Sequence, residues 1–113
     1  MGRFVVDTSV WIDFFRGDLE KETLHLVNNG IENRIALLTD IIRNEILVGA
    51  RSKRQFQELK KLLTPLNCLR IRDQDFPEFD QFCWRLHRMG FQGKYTDASI
   101  AFLCKKARVP LLT

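Results

Sequence analysis

The 113-residue sequence has no apolar run approaching the ~18 residues of a membrane-spanning helix, so no membrane partner is expected. Residues 1 to 7 hold neither a long apolar stretch nor a small-residue cleavage site, so export is not expected either. Met1-Gly2 lacks the Ser or Thr that a myristoylation motif wants, because Val6 stands there. Cysteine is scarce: Cys68, Cys83 and Cys104 are odd in number, far apart and never in a C-x-x-C pair. That argues against a disulfide framework and a zinc site, and for buried reduced thiols in a cytoplasmic protein. His25 and His87 stand singly, with no H-E-x-x-H spacing, and read as surface or packing residues. Neither G-x-x-x-x-G-K-[ST] nor G-x-G-x-x-G occurs, which removes support for a nucleotide-cradling loop. Repeats, linkers and low-complexity segments are also missing, and the length suits one domain over 1–113.

What is present is an alternation of short oily runs with amphipathic segments. Phe4-Val5-Val6 predicts a strand covered on both faces, followed by a helix from Ser9 that Gly17 stops. Leu19 to Asn29 predicts a helix ended by Asn29-Gly30, and Ile35 to Leu38 a strand leading through Thr39 or Asp40 into a helix reaching Ala50. Arg51 to Leu63 spaces Phe56, Leu59, Leu62 and Leu63 as one helical stripe before Pro65. Strands at 68–71 and 109–112, and helices at 75–89 and from Asp97, complete the pattern. Strands alternating with helices imply an α/β fold whose mostly parallel central sheet carries helices on both faces. In such sheets the functional crevice lies beyond the carboxyl ends of the strands.

Asp7 sits at such an end, directly after the first strand. It admits two readings, a cap for the next helix or a ligand at the mouth of a metal site. Glu45 lies on the stripe of Ile42, Ile46 and Gly49, where an unpaired charge is costly; an ion pair with Arg43 or Arg51 is its plain alternative. Asp97 opens an otherwise apolar helix and is again either a cap or a ligand. Should the three converge, two carboxylates 4 Å apart repel by roughly 4 kcal/mol at an effective dielectric near 20. One must then protonate, or a cation must enter. Hard oxygens select Mg²⁺ or Mn²⁺, an ion able to activate water and offset charge on a phosphodiester. The net charge of +4 favours a polyanionic partner.

Three segments, "FVVDTSVWIDFFRG", "LTDIIRNEILVGAR" and "GKYTDASIAFLCKKARVPLLT", carry a resemblance to the PIN-domain ribonucleases, particularly the VapC-like toxins of type II toxin–antitoxin pairs. The resemblance runs in order along nearly the whole chain. It implies a three-layer α/β/α PIN-like fold, with truncation expected at the last strand or strands. It further implies Asp7, Glu45 and Asp97 as metal-binding and catalytic acids, with Ser9 holding the first of them. The family pattern continues as T-x-D-x-D-F, which Thr113 would open as a supporting residue and which would bring a fourth acid. The function implied is a Mg²⁺-dependent endoribonuclease toxin that cuts single-stranded or loop RNA, leaves 5′-phosphate and 3′-hydroxyl ends, and is neutralised by an antitoxin. The alternative is a catalytically inactive PIN-like module that binds antitoxin or RNA. Two α/β phosphoryl-chemistry families fit less well: Ser9 stands where haloacid-dehalogenase-like phosphatases need Asp, and receivers bring paired acids where Asp7 stands alone.

Trp11, Phe14 and Phe15 are the expected antitoxin contacts, with Trp11 partly exposed until the partner covers it. Arg51, Lys53, Arg54 and Lys94 are the expected RNA contacts, although a solvated helix face explains basic clusters of this kind equally well. The clusters at Lys60-Lys61 and at Lys105, Lys106 and Arg108 add to the same tally, and Tyr95 or Trp84 could stack on an unpaired base. A homodimer is also expected.

Overall fold

The computed structural model describes residues 2–113. Four parallel strands form its sheet in the order β3-β2-β1-β4, with β1 Phe4–Val6, β2 Ala36–Thr39, β3 Cys68–Leu69 and β4 Leu111–Leu112. The helices around it are α1 Thr8–Arg16, α2 Lys21–Glu32, α3 Asp40–Val48, α4 Lys53–Leu63, α5 Phe76–Arg88 and α6 Tyr95–Ala107. The expected α/β architecture with a parallel central sheet is therefore what the chain adopts. The two inner strands are the fully buried ones. Every residue of β1 and β2 is buried, as strands covered on both faces must be. The outer strands shrink to two residues each, which leaves little unpaired edge.

The register brings the strand ends level. Val6 pairs with Leu112, and the Asp7 amide donates to the Leu112 carbonyl at 2.9 Å. Thr113 thus follows the last β4 pair just as Asp7 follows the last β1 residue. On the other side Thr39 pairs with Leu69, and α3 begins at the next residue. Thr39 is buried, and its hydroxyl accepts from the Ile42 amide at 3.1 Å, so it is the cap that its sequence position suggested. Gly17, in the left-handed region at φ 75°, closes α1 as expected.

One terminator is misplaced by sequence reasoning. Asn29-Gly30 does not stop α2, which continues to Glu32 with Asn33 at its end. Gly30 is buried in the last turn of α2, where a Cβ would meet the Phe4 ring at 2.7 Å and the Ala36 Cβ at 3.0 Å. The glycine serves the approach of α2 to the sheet, and packing outweighs its poor helix propensity. Two apolar clusters result. The larger joins β1, β2 and the inner faces of α1, α3 and α4, with Ile100 and Cys104 of α6; the smaller gathers Phe79, Phe102 and Leu103 between α5 and α6.

Candidate functional site

Asp7 occupies the N-cap position of α1, yet its side chain makes no capping bond. Its Oδ2 instead accepts from the Ser9 hydroxyl at 3.0 Å. The capping reading of Asp7 is not what the structure shows. One residue on, the Thr8 hydroxyl donates to Glu45 Oε1 at 3.0 Å and ties the start of α1 to α3. Glu45 is thereby brought beside the turn that carries Asp7. Glu45 does not face inward as expected. Ile42, Ile46 and Leu47 form the buried side of α3, and Glu45 flanks them on the exposed side. Its proposed ion pair with Arg43 or Arg51 does not form among the described residues. A carboxylate offers about four lone-pair directions, and each of these two acids spends one on a hydroxyl.

Asp97 lies in the first turn of α6, exposed, and its Oδ2 accepts from the Lys94 amide at 3.2 Å. The capping alternative thus describes part of what Asp97 does. No hydrogen bond among the described residues links it to Asp7 or Glu45. α6 does come within electrostatic reach of Asp7, since the Cys104 thiol is pushed up first by its own burial and then by the Asp7 charge. Burial is also the leading reason that Cys68 and Cys83 are raised, so all three cysteines are poorly ionised and none is paired.

The donor chemistry of Asp7 and Glu45 fits a hard divalent cation: two carboxylates with free oxygens, neighbouring hydroxyls and no competing cation. The three acids are not gathered into one ligand group. Among the described residues no three His, Cys, Asp or Glu side chains lie together closely enough to hold a metal. Of the three, only Asp7 and Glu45 are drawn toward one corner, through the Thr8–Glu45 bond.

Trp11 overturns an expectation. It is 0% exposed, packed edge-on to Phe14 and stacked on Phe15, and its buried indole N–H finds no hydrogen-bond partner. Residues one apart on a helix point about 100° apart, so Trp11 turns to the core while Ile12 turns away from it. Ile12 is 41% and Phe15 38% exposed, whereas Phe14 is half-buried. Between α1, α3 and α4 lies a groove of about 510 Å³ lined by Ile12, Phe15, Ile46 and Leu59, with Arg51 and Glu45 also on its walls. Sequence reasoning missed Ile12 and Leu59 here. The signal was the i, i+3, i+4 spacing of Ile12, Phe15 and Arg16 on one helix face. It also missed Thr8, whose hydroxyl sits between two other oxygen-bearing side chains in "DTS". Of the expected RNA contacts, Arg51, Lys53, Arg54 and Lys94 are all exposed, and Arg54 is shared with Glu58 at 3.2 Å.

A parallel sheet with hydroxyl-tethered carboxylates at the carboxyl end of its central strand is an α/β protein with a candidate acid-lined metal centre. The chain belongs to the PIN domain family, whose model matches residues 4–113. It is similar in structure to VapBC2 from Rickettsia felis bound to a DNA fragment from their promoter, with TM-score 0.77 at 15% identity over 97% of this chain and 85% of that one. It is also similar to a toxin–antitoxin complex from Klebsiella pneumoniae, with TM-score 0.70 at 25% identity over 97% and 84%. No curated protein matches the sequence. The resemblance to VapC-like proteins is borne out. PIN-domain proteins of this kind are generally nucleases and generally use divalent metals. Among the described residues no helix is long and apolar enough to cross a membrane.

Proposed function

We propose that this chain is a Mg²⁺- or Mn²⁺-dependent endoribonuclease toxin, silenced by an antitoxin that lies in the groove beside Glu45. The observation that carries the reading is the Asp7–Glu45 corner: two carboxylates held by hydroxyls, with no Lys or Arg paired to either among the described residues, in a chain of net charge +4. When bound, a divalent ion supplies Lewis acidity and a polarised water for phosphodiester hydrolysis. Asp7 and Glu45 would hold it through the oxygens that Ser9 and Thr8 leave free, with Asp97, which lies apart from them in this structure, as the third acid the family resemblance implies. Ser9 and Thr8 limit the swing of the two acids, which is what outer partners of a metal ligand do. Thr113 stands at the adjacent strand end as a supporting hydroxyl.

Arg51, Lys53 and Lys94 are exposed to meet the RNA backbone, Arg54 can join them by leaving Glu58, and the exposed Tyr95 offers a face for an unpaired base. An amphipathic antitoxin segment seated on Ile12, Phe15, Ile46 and Leu59 reaches Glu45 with one basic side chain. The R. felis and K. pneumoniae structures are toxin–antitoxin assemblies, which supports a partner of this kind. A binding module without catalysis is the second reading. One experiment separates the two: Mn²⁺ titration by calorimetry together with cleavage of a labelled single-stranded RNA. The expected result is Mn²⁺ binding and cleavage that excess EDTA abolishes. Cleavage undiminished by EDTA ends the metal mechanism, and RNA binding without cleavage at saturating Mn²⁺ leaves the module.

A further inference from the structure

Positive charge collects in one place away from the acid corner. Between α5 and α6 lies a groove of about 490 Å³ whose walls carry Arg85, Lys105, Lys106 and Arg108 against one carboxylate, Glu78. None of Asp7, Glu45 and Asp97 lines it. The start of α5 meets the end of α6 through the Asp75–Lys106 contact, and the short loop 89–94 joins their other ends, so the two helices run antiparallel. Their dipoles draw cations to opposite ends and do not by themselves gather four into one groove.

The four cations are not equivalent. Lys106 lies 2.8 Å from Asp75 and 3.6 Å from Glu78, so its charge is neutralised within the fold. Arg85, Lys105 and Arg108 are exposed and have no ion-pair partner among the described residues. Arg85 is steadied by a hydrogen bond that it donates to Gln81 Oε1 at 3.3 Å. The Lys105 ammonium lies 5.7 Å from the Phe82 ring centroid, within reach of its π face. Arg108 closes α6 in the left-handed region at φ 57°, where glycine or asparagine is the usual choice, so a cation is kept there at a conformational cost. Three unneutralised cations thus surround a fixed aromatic floor, in which Phe82 packs on the buried Phe102 at 5.6 Å.

We propose that this groove is a second RNA site, which holds the phosphodiester backbone of the substrate away from the scissile bond. That the polyanion is RNA rests on the nuclease reading above. An acidic peptide would need an apolar anchor, and here Lys105 and Lys106 already lie over the two rings. A phosphate backbone needs only the charges. Lys105 stands eight residues after Asp97 on α6, about 12 Å along the helix axis. A stacked strand advances about 3.4 Å per nucleotide, so a strand touching both must run about three or four nucleotides past the cut. Short RNA reaches the acids without the groove, and long RNA engages both.

The test is fluorescence anisotropy in EDTA with labelled single-stranded RNAs of about 20 and about four nucleotides, titrated with salt. Circular dichroism checks the fold of each variant. Combining Arg85→Gln, Lys105→Gln and Arg108→Gln should weaken binding of the longer RNA about tenfold or more and lower its salt slope by about two, at roughly 0.7 per phosphate contact. Lys105→Gln alone, on an exposed face, should lower the slope by about 0.7 and carries the test if the triple exchange unfolds; Lys105→Arg should keep it. Binding of the shorter RNA, and of Mn²⁺ by calorimetry, should not change. These readouts need no cleavage, so a chain that binds long RNA through the groove yet never cuts it upholds the site and counts against the nuclease reading alone. A wild type with no preference for the longer RNA, an unchanged salt slope in the variants, or equal losses on both RNAs overturns the second site. Polyglutamate bound by wild type as tightly as the longer RNA gives the groove to an acidic protein segment and overturns it too.

Discussion

Asp7 with Glu45 and Asp75 with Lys106 are two ways of placing an acid in one small fold. Asp75 is only 6% exposed, and the Lys106 ammonium lies 2.8 Å from it while the Arg72 amide donates at 2.9 Å. The Lys106 hydrogen bond, then the Arg72 amide, hold its carboxyl below the usual range, and Asp75 in turn raises Lys106. Asp7 and Glu45 receive hydroxyls only. Where the fold needs an acid for itself, it supplies the counter-cation from its own sequence. Where it leaves acids with hydroxyls alone, the metal proposed above would supply the counter-charge.

Exchanging one acid at each corner tests that contrast most severely. Asp75→Asn should lower the melting temperature, because Lys106 loses its nearer charge partner and keeps only Glu78 at 3.6 Å. Asp75 is depressed when folded, so its contribution is complete above the ordinary Asp value of about 3.9 and is lost as pH falls through the lower folded value. The acid-side fall in melting temperature should therefore shrink in Asp75→Asn. Asp7→Asn should keep the melting temperature at neutral pH and lose Mn²⁺ affinity by more than about 100-fold, beyond the usual effect of outer partners. If both variants melt alike, the corners do not differ in kind.

A smaller effect is expected in the groove beside the free corner. Phe15→Ala should weaken antitoxin binding by about 2 kcal/mol and leave folding intact. Trp11→Ala, by contrast, should cost about 3–5 kcal/mol of stability through the cavity it leaves. Calorimetry and thermal melts of the two variants separate the faces of α1. The smallest change is expected for Ser9→Ala, about tenfold in Mn²⁺ affinity, since the hydroxyl only steadies Asp7. No change there would reduce the Ser9 bond to an ornament of the apo state.

Residues whose surroundings are local were the legible ones. Phe4-Val5-Val6, the Thr39 cap and the Gly17 stop follow from short-range pattern, and the strand–helix alternation led from them to the parallel sheet. Gly30 misled because its neighbour, the Phe4 ring, is 26 positions away and invisible to helix propensity. Glu45 misled for a narrower reason. A stripe drawn through Ile42, Ile46 and Gly49 passes close to it, and only the burial of Leu47 on the other flank shows which way α3 is turned. Trp11 was expected to be partly exposed, but rotation about the α1 axis turns it to the core and leaves Phe15 at the surface. The Thr8–Glu45 bond spans 37 positions, and no spacing rule reaches that far.

The burial of Trp11 against the exposure of Trp84 has an optical consequence. These are the two tryptophans of the chain, one sealed in the core with an idle indole N–H and the other in water beside a guanidinium. Their emission divides accordingly, a blue component insensitive to dissolved quenchers and a red component that quenchers reach. The blue component follows the integrity of the fold, and the red one follows whatever comes to rest on α5, so unfolding and association can be watched in one unlabelled sample.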